Sequence, residues 1–140
     1  MPNVVYNGVK AGLMHAELNF AVDTLYIALV TDMYIPDVDT HVFMSDITGE
    51  VVGVGYTQGG LQLQNVNLQL DLVNNRESLF ADDPLWSNST IVAKGAIIYK
   101  NTGVPTTSKL ITYLDFGENK SSNASPFLIA FDSTGILRLV

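Results

Sequence analysis

Asp37, Asp39 and His41 are spaced by two residues. In an extended chain that interval puts three side chains on one face, where they could ligate a divalent cation. The competing reading is local: Asp39 or Thr40 caps a helical turn, and Asp37 braces the loop after Pro36. The stretch supplies too few oxygens to hold Ca²⁺ by itself and does not follow the twelve-residue calcium-loop pattern. His15, the other histidine, falls near the end of a helical stripe, where the helix dipole accounts for it. Asp82 and Asp83 offer a carboxylate pair, but strand neighbours point to opposite faces, and Pro84 makes a turn the simpler reading. Ser45, His41 and Asp46 hold the letters of a hydrolytic triad without a nucleophile elbow. Gly53-Val54-Gly55 lacks the third glycine and the helix of a dinucleotide loop; it reads as a kinked strand. Cysteine is absent, so disulfides, thiolate metal sites and cysteine nucleophiles are excluded. No catalytic, cofactor or metal site is assigned, and the expectation is a protein that is not an enzyme.

The elements that would position these residues read mainly as β. The exception is a stripe at Val5, Val9, Leu13 and Ala16, which predicts a short helix over residues 4–17 with Asn3 as its cap. Thr24–Thr31 is apolar on both faces and predicts a central strand. Asp32–Asp39 is loop, and Thr40–Ile47 a helical turn. Val51–Tyr56 is extended but broken by two glycines, and Gly59-Gly60 is a turn. Leu61–Asp71 alternates apolar and polar residues, as a strand with one buried face does. Its phase slips between Leu63 and Val66, which predicts a bulge or break near Gln64–Asn65. Its polar face carries Gln and Asn rather than the charges that protect an open edge, so it wants a cover from its own fold or another subunit.

Ser78–Ala81 and Leu85–Trp86 are short strand candidates. Thr90–Lys100 is a second strong strand, with Ile91, Ala93, Ile97 and Tyr99 on one face. Lys109–Gly117 follows, with Leu110, Leu114 and Phe116 together, and Glu118–Ser125 is a polar loop. Pro126–Asp132, with Phe127, Ile129 and Phe131 inward, and Ile136–Val140 make a hairpin about Asp132-Ser133-Thr134-Gly135. Eight or nine short strands with frequent turns predict an antiparallel β-sandwich or barrel, jelly-roll-like, with the helix packed on it or reaching a neighbour. Core packing accounts for most aromatics; a sugar-stacking platform on Trp86 or a tyrosine is the minority reading.

A chain of 140 residues fits one domain, residues 1–140, and can build a core without staples. Charged residues are only 15%, below the usual quarter, which points to life in an assembly. The net charge is −7 and the seven Lys and Arg are scattered, which argues against nucleic acid and anionic membranes as partners. The N-terminus carries no basic n-region, so no signal peptide is expected. No apolar run is long enough to span a bilayer. The sequons at Asn88, Asn119 and Asn123 read as chance matches.

Two ordered blocks carry a resemblance. The first runs from Leu25-Tyr26-Ile27-Ala28-Leu29-Val30-Thr31 through Tyr34-Ile35-Pro36, Asp39-Thr40-His41-Val42-Phe43 and Ser45-Asp46-Ile47 to Gly53-Val54-Gly55-Tyr56-Thr57-Gln58-Gly59-Gly60. The second comprises Ala81-Asp82-Asp83, Leu85-Trp86-Ser87-Asn88-Ser89-Thr90-Ile91 and Ala96-Ile97-Ile98-Tyr99-Lys100-Asn101-Thr102-Gly103, then Tyr113-Leu114-Asp115-Phe116-Gly117. In this order the chain resembles small structural proteins from virions of tailed bacteriophages and prophages, with Leu61–Ser78 departing most. The resemblance implies a non-enzymatic virion component with no catalytic residues to carry over. A capsid cement or decoration protein is the leading expectation: a homotrimer on the outer capsid surface, partnered by the major capsid protein and by itself, and present in the host cytoplasm during assembly. The alternative is a tail or head-fibre module that binds a host surface glycan.

Overall fold

A computed structural model describes residues 3–140. The elements run β1 (Val4–Val5), α1 (Gly8–Met14), β2 (Leu25–Val30), a 3-10 turn (Met44–Asp46), β3 (Leu61–Gln62), β4 (Asn67–Asp71), β5 (Arg76–Phe80), β6 (Leu85–Lys100), β7 (Leu110–Leu128) and β8 (Leu137–Leu139). They form two antiparallel sheets, a five-stranded one ordered β1-β7-β6-β2-β3 and a three-stranded one ordered β4-β5-β8. The fold is mainly β and sandwich-like, with one short helix, as the turn-punctuated alternation predicts.

β2 shows why the pattern works. Leu25, Ile27 and Leu29 enter a large apolar cluster that also takes Leu79 of β5 and Leu137 of β8, so both sheets share it. Ala28 and Val30 face the other way, into a smaller cluster with Tyr6, Tyr34, Ile97 and Tyr113. Each such Leu or Ile stabilises by about 1.5–3 kcal/mol relative to exposure. The smaller cluster is closed by polar tips: the Tyr6 and Tyr34 hydroxyls lie 2.7 Å apart. Burial, before any other influence, pushes Tyr34 up to about 12.

The phase slip at Gln64–Asn65 is a change of sheet. Asn65 takes φ +52°, and the chain leaves β3 in the first sheet to enter β4 in the second. Other expectations need correction. The helix is half the predicted length: Val4–Val5 pair with Tyr113 and Thr112 as strand, and Ala16 turns off at φ +58°. Asn3 caps nothing; its side chain accepts from the Asp115 N–H at 2.8 Å. Glu118–Ser125 is not a loop but the middle of β7, paired with Ser89–Ala93. Ser122 of this stretch is satisfied across the sheet by Ser89 of β6, their hydroxyls 2.7 Å apart and buried. The turn at residues 132–135 forms, held by Asp132, but its arms part: β7 ends against β6, while β8 pairs with β5. Two bulges reverse faces as well. Past the irregularity at Ala93/Gly95, Ile91 and Ala93 share a side with Ala96 and Ile98 rather than with Ile97 and Tyr99. Past the one at Ile98/Tyr99, Leu110 faces away from Leu114 and Phe116.

The Ala93/Gly95 bulge also presents Lys94 to Asp115, with Nζ and Oδ1 2.8 Å apart and the aspartate side chain 1% exposed. Burial alone raises the Asp115 pKa. The Lys94 ammonium and the Gly117 amide outweigh it and hold the carboxyl below the ordinary aspartate value. As pH falls, the unfolded chain therefore protonates first. The stabilisation is complete above the ordinary aspartate pKa and is lost as pH drops through the folded value. The melting midpoint should hold from neutrality down to about pH 4 and then fall. Asp115→Asn should melt lower than wild type at pH 7, and the two should converge as pH falls below the ordinary aspartate value and the folded carboxyl protonates. Parallel melting curves across that range would sink this account of the pair.

Candidate functional site

The residues singled out for chemistry are dispersed into structural work. Asp37 Oδ1 accepts from the N–H groups of Asp39 (3.0 Å) and Thr40 (3.2 Å). Asp39 accepts from the Asn7 amide. His41 Nδ1 lies 2.9 Å from the Tyr34 hydroxyl and 3.2 Å from the Asp37 N–H. The stretch is loop, so its period-two spacing never becomes a shared face. No group of three or more His, Cys, Asp or Glu side chains converges as a metal would need among the described residues. The turn that follows is capped from the other direction than expected. Asp46, rather than Asp39 or Thr40, reaches back to the N–H groups of Val42 and Phe43, both at 2.9 Å. Those two bonds hold its carboxyl below the usual aspartate range.

Ser45 is exposed, while His41 is turned to Tyr34, so no triad assembles. His15 sits at the C-cap of α1, exposed. Asp82 holds the Asn65 amide, and Asp83 accepts from the Phe131 N–H at 2.9 Å; the two carboxylates serve different loops. Gly53 packs on the Thr90 carbonyl, where a Cβ would lie 2.5 Å from that oxygen. The kinked-strand reading therefore has a backbone crossing as its cause. Trp86 is no platform: it is 3% exposed, between Tyr56 and Phe127.

Two surfaces remain. One is the hairpin of β4 and β5. Cross-strand register puts Leu68, Leu79 and Leu137 in one row and Leu70, Glu77 and Leu139 in the next, on the same face. The first row reaches the core at Leu79 and Leu137. The second overhangs it: Leu70 is 65% exposed and Leu139 51%. At the tip, Leu72 and Val73 are 75% and 90% exposed. Asp71 fixes that tip by accepting from the N–H groups of Val73 and Asn74 and from the Asn74 amide. β4 is also an edge strand, with hydrogen bonds to β5 on one side only. The alternation predicts the strand and places its leucines on one face, but the expected burial of that face fails in β4: Leu68 is 39% exposed and Leu70 lies largely in water.

The other surface is a cleft of about 910 Å³ beside the edge of β2. The segment 49–59 and the β6–β7 loop form its walls, and Tyr26 and Tyr99 line it. Glu50 is its one charged residue. Glu50 Oε1 accepts from the Tyr56 hydroxyl and the Gly59 N–H, each at 2.6 Å. The Tyr56 hydroxyl in turn accepts from the Leu29 N–H at 3.0 Å, so the carboxylate is tied to the sheet edge. Burial first, and then this bond to Glu50, raises the Tyr56 pKa. Tyr99 donates to the Gly59 carbonyl at 2.6 Å, and burial pushes it up to about 12. The sequence offered no signal for Glu50, which sits in a glycine-rich stretch without another ionisable neighbour in spacing. No helix is long and apolar enough to cross a membrane among the described residues. Comparison with family models, with curated proteins and with solved structures gives no match.

Proposed function

We propose that this chain is a non-enzymatic structural component of a bacteriophage virion, a cement or decoration protein that sits on the outer capsid surface as a homotrimer against the major capsid protein. The carrying observation is the overhanging apolar face of the β4–β5 hairpin, with Leu70, Leu72 and Val73 exposed. Apolar side chains held out by a well-braced turn favour a partner surface that takes them out of water. The ordered residue blocks from Leu25 to Gly117 support the virion reading. The acidic, low-charge composition suits an outer surface rather than a DNA-facing one. A lattice of identical sites multiplies weak contacts: in a trimer each later engagement is effectively intramolecular, and modest hairpin contacts become near-permanent.

Purified chain should add to expanded shells that lack it and raise their melting temperature. Leu70→Gln with Leu72→Gln should weaken that addition by about a hundredfold per site, from two leucines at about 1.5 kcal/mol each. The same variant should leave the free protein's own melting unchanged, because both side chains are already in water. Failure of the wild-type chain to bind such shells would overturn the proposal.

A further inference from the structure

We propose that the cleft beside β2 is a binding site for an uncharged saccharide, recognised by the Glu50 carboxylate, the Tyr26 ring and the polar side chains of Ser45, Gln58 and Asn101. The inference stands apart from the capsid reading, since cleft and hairpin share no residue.

The lining selects the ligand class. A phosphate, sulfate or carboxylate ligand needs a cation, and the cleft has no Lys, Arg or His. Its only charge is negative, so an anionic ligand would be repelled. An apolar ligand would strand the carboxylate and the amides against hydrocarbon. A cation would engage the single carboxylate and leave Ser45, Gln58 and Asn101 unused, whereas a ligand rich in hydroxyls, with apolar C–H faces between them, can meet all of these polar groups and the Tyr26 ring.

The geometry is pre-set for it. Glu50 is immobilised through Oε1, and its Oε2 accepts no hydrogen bond from any described residue. An anchored carboxylate oxygen with open lone pairs is an acceptor for sugar hydroxyls, and bonds to a charged acceptor are the stronger kind. The Tyr26 hydroxyl, the Ser45 hydroxyl and the Gln58 side-chain amide also hydrogen-bond to no described residue. Tyr26 is half-buried, its ring tilted 45° against Tyr99 at 6.0 Å, so its orientation is braced from behind. Rigid donors and acceptors lose little freedom when a ligand arrives. The volume, about 910 Å³, lies at the upper end of ligand sites and suits several sugar rings rather than one.

The test is titration of the full chain, followed by amide NMR shifts, with neutral hexasaccharides: malto-, cello-, laminari-, manno-, xylo- and chito-oligomers. Sulfated dextran and a lysine tripeptide serve as charged probes. Binding by at least one neutral oligomer, with shifts at Tyr26, Glu50, Gln58 and Asn101, is the expected result. Glu50→Gln keeps an acceptor at the anchored Oε1 position and places an N–H donor where Oε2 was. It should therefore weaken binding about tenfold or more in a chain that still melts cooperatively as a folded protein. Tyr26→Ala should weaken it by a similar factor. No shift with any neutral oligomer at millimolar concentration overturns the inference. So does response to a charged probe alone, or undiminished binding by Glu50→Gln.

Discussion

Gly60→Ala should remove a large share of the stability of this fold, about 3–5 kcal/mol. Gly60 has φ +84°, where a Cβ would lie 1.8 Å from the Ile27 carbonyl oxygen and 2.8 Å from the Ala28 Cα. Both atoms belong to the backbone of β2, the strand buried on both faces. A flexible side chain could move aside; this strand cannot without leaving β6. The left-handed conformation costs a non-glycine residue about 1–3 kcal/mol. Overpacking adds about 1–3 kcal/mol when side chains can adjust, and more against fixed backbone. A total of about 3–5 kcal/mol is a large share of the 5–15 kcal/mol typical of a domain.

Gly103 supplies the control. Its φ is +86°, but a Cβ there meets nothing within 4 Å. Gly103→Ala should therefore cost only the conformational part, about 1 kcal/mol. Urea denaturation of the two variants separates strain from collision. Equal losses would mean that Gly60 does not seat on β2. Because the turn at Gly59–Gly60 also supplies the N–H that anchors Glu50, the Gly60 variant should lose saccharide binding as well as stability.

How much of this was readable beforehand depends on whether a feature is local. The apolar run of Leu25–Val30 encodes its own burial, because a strand with no polar face has only one kind of place to go. The slip between Leu63 and Val66 encodes its own break, for period two allows no silent insertion. Bulges in the long β6–β7 hairpin are different. Nothing in Val92-Ala93-Lys94-Gly95 announces that the faces exchange there; the Lys94–Asp115 pair and the contact of Gly95 with the Tyr113 ring set it. Glu118–Ser125 looks like a loop by composition, yet pairing with β6 supplies what its side chains do not. The residues 126–140 form the predicted turn, but local signals cannot say which sheet receives each arm.

The site follows the same division. Asp37, Asp39 and His41 drew attention through their spacing, and spacing has meaning only inside a regular element. Glu50, Tyr26 and Asn101 come from three separate segments: β2 pairs with β6 in register, with Tyr26 opposite Tyr99, and Glu50 joins them through its own bridge to Val30 at the end of β2. Leu68 and Leu70 are intermediate. Their alternation predicts a buried face, and the strand forms, but period two cannot say how far the core reaches beneath it: Leu79 and Leu137 are buried while Leu70 overhangs into water.

Trp86 provides the second large effect, and it separates a core role from a recognition role. A lone tryptophan in a β-rich chain invites a sugar-platform reading, but this one packs 6.0 Å from Tyr56 and 6.1 Å from Phe127, ring to ring, in the cluster shared by both sheets. Trp86→Ala should cost about 3–5 kcal/mol, the range for emptying a large aromatic from a core. The indole N–H has no hydrogen-bond partner among the described residues. Leaving a buried donor unpaired costs about 1–3 kcal/mol, and Trp86→Phe removes that donor along with some packing. The phenylalanine variant should therefore lie within about 1 kcal/mol of wild type, since the two changes oppose each other. Chemical denaturation gives both numbers. As the chain has one tryptophan, native fluorescence reports on this ring alone, and its emission should be blue-shifted and poorly quenched by iodide. Trp86→Phe should also bind neutral oligosaccharides as wild type does. A folded Trp86→Phe variant that loses sugar binding, or a readily quenched native indole, would move recognition from the β2 cleft to the Trp86 face and displace Glu50 from its assigned part.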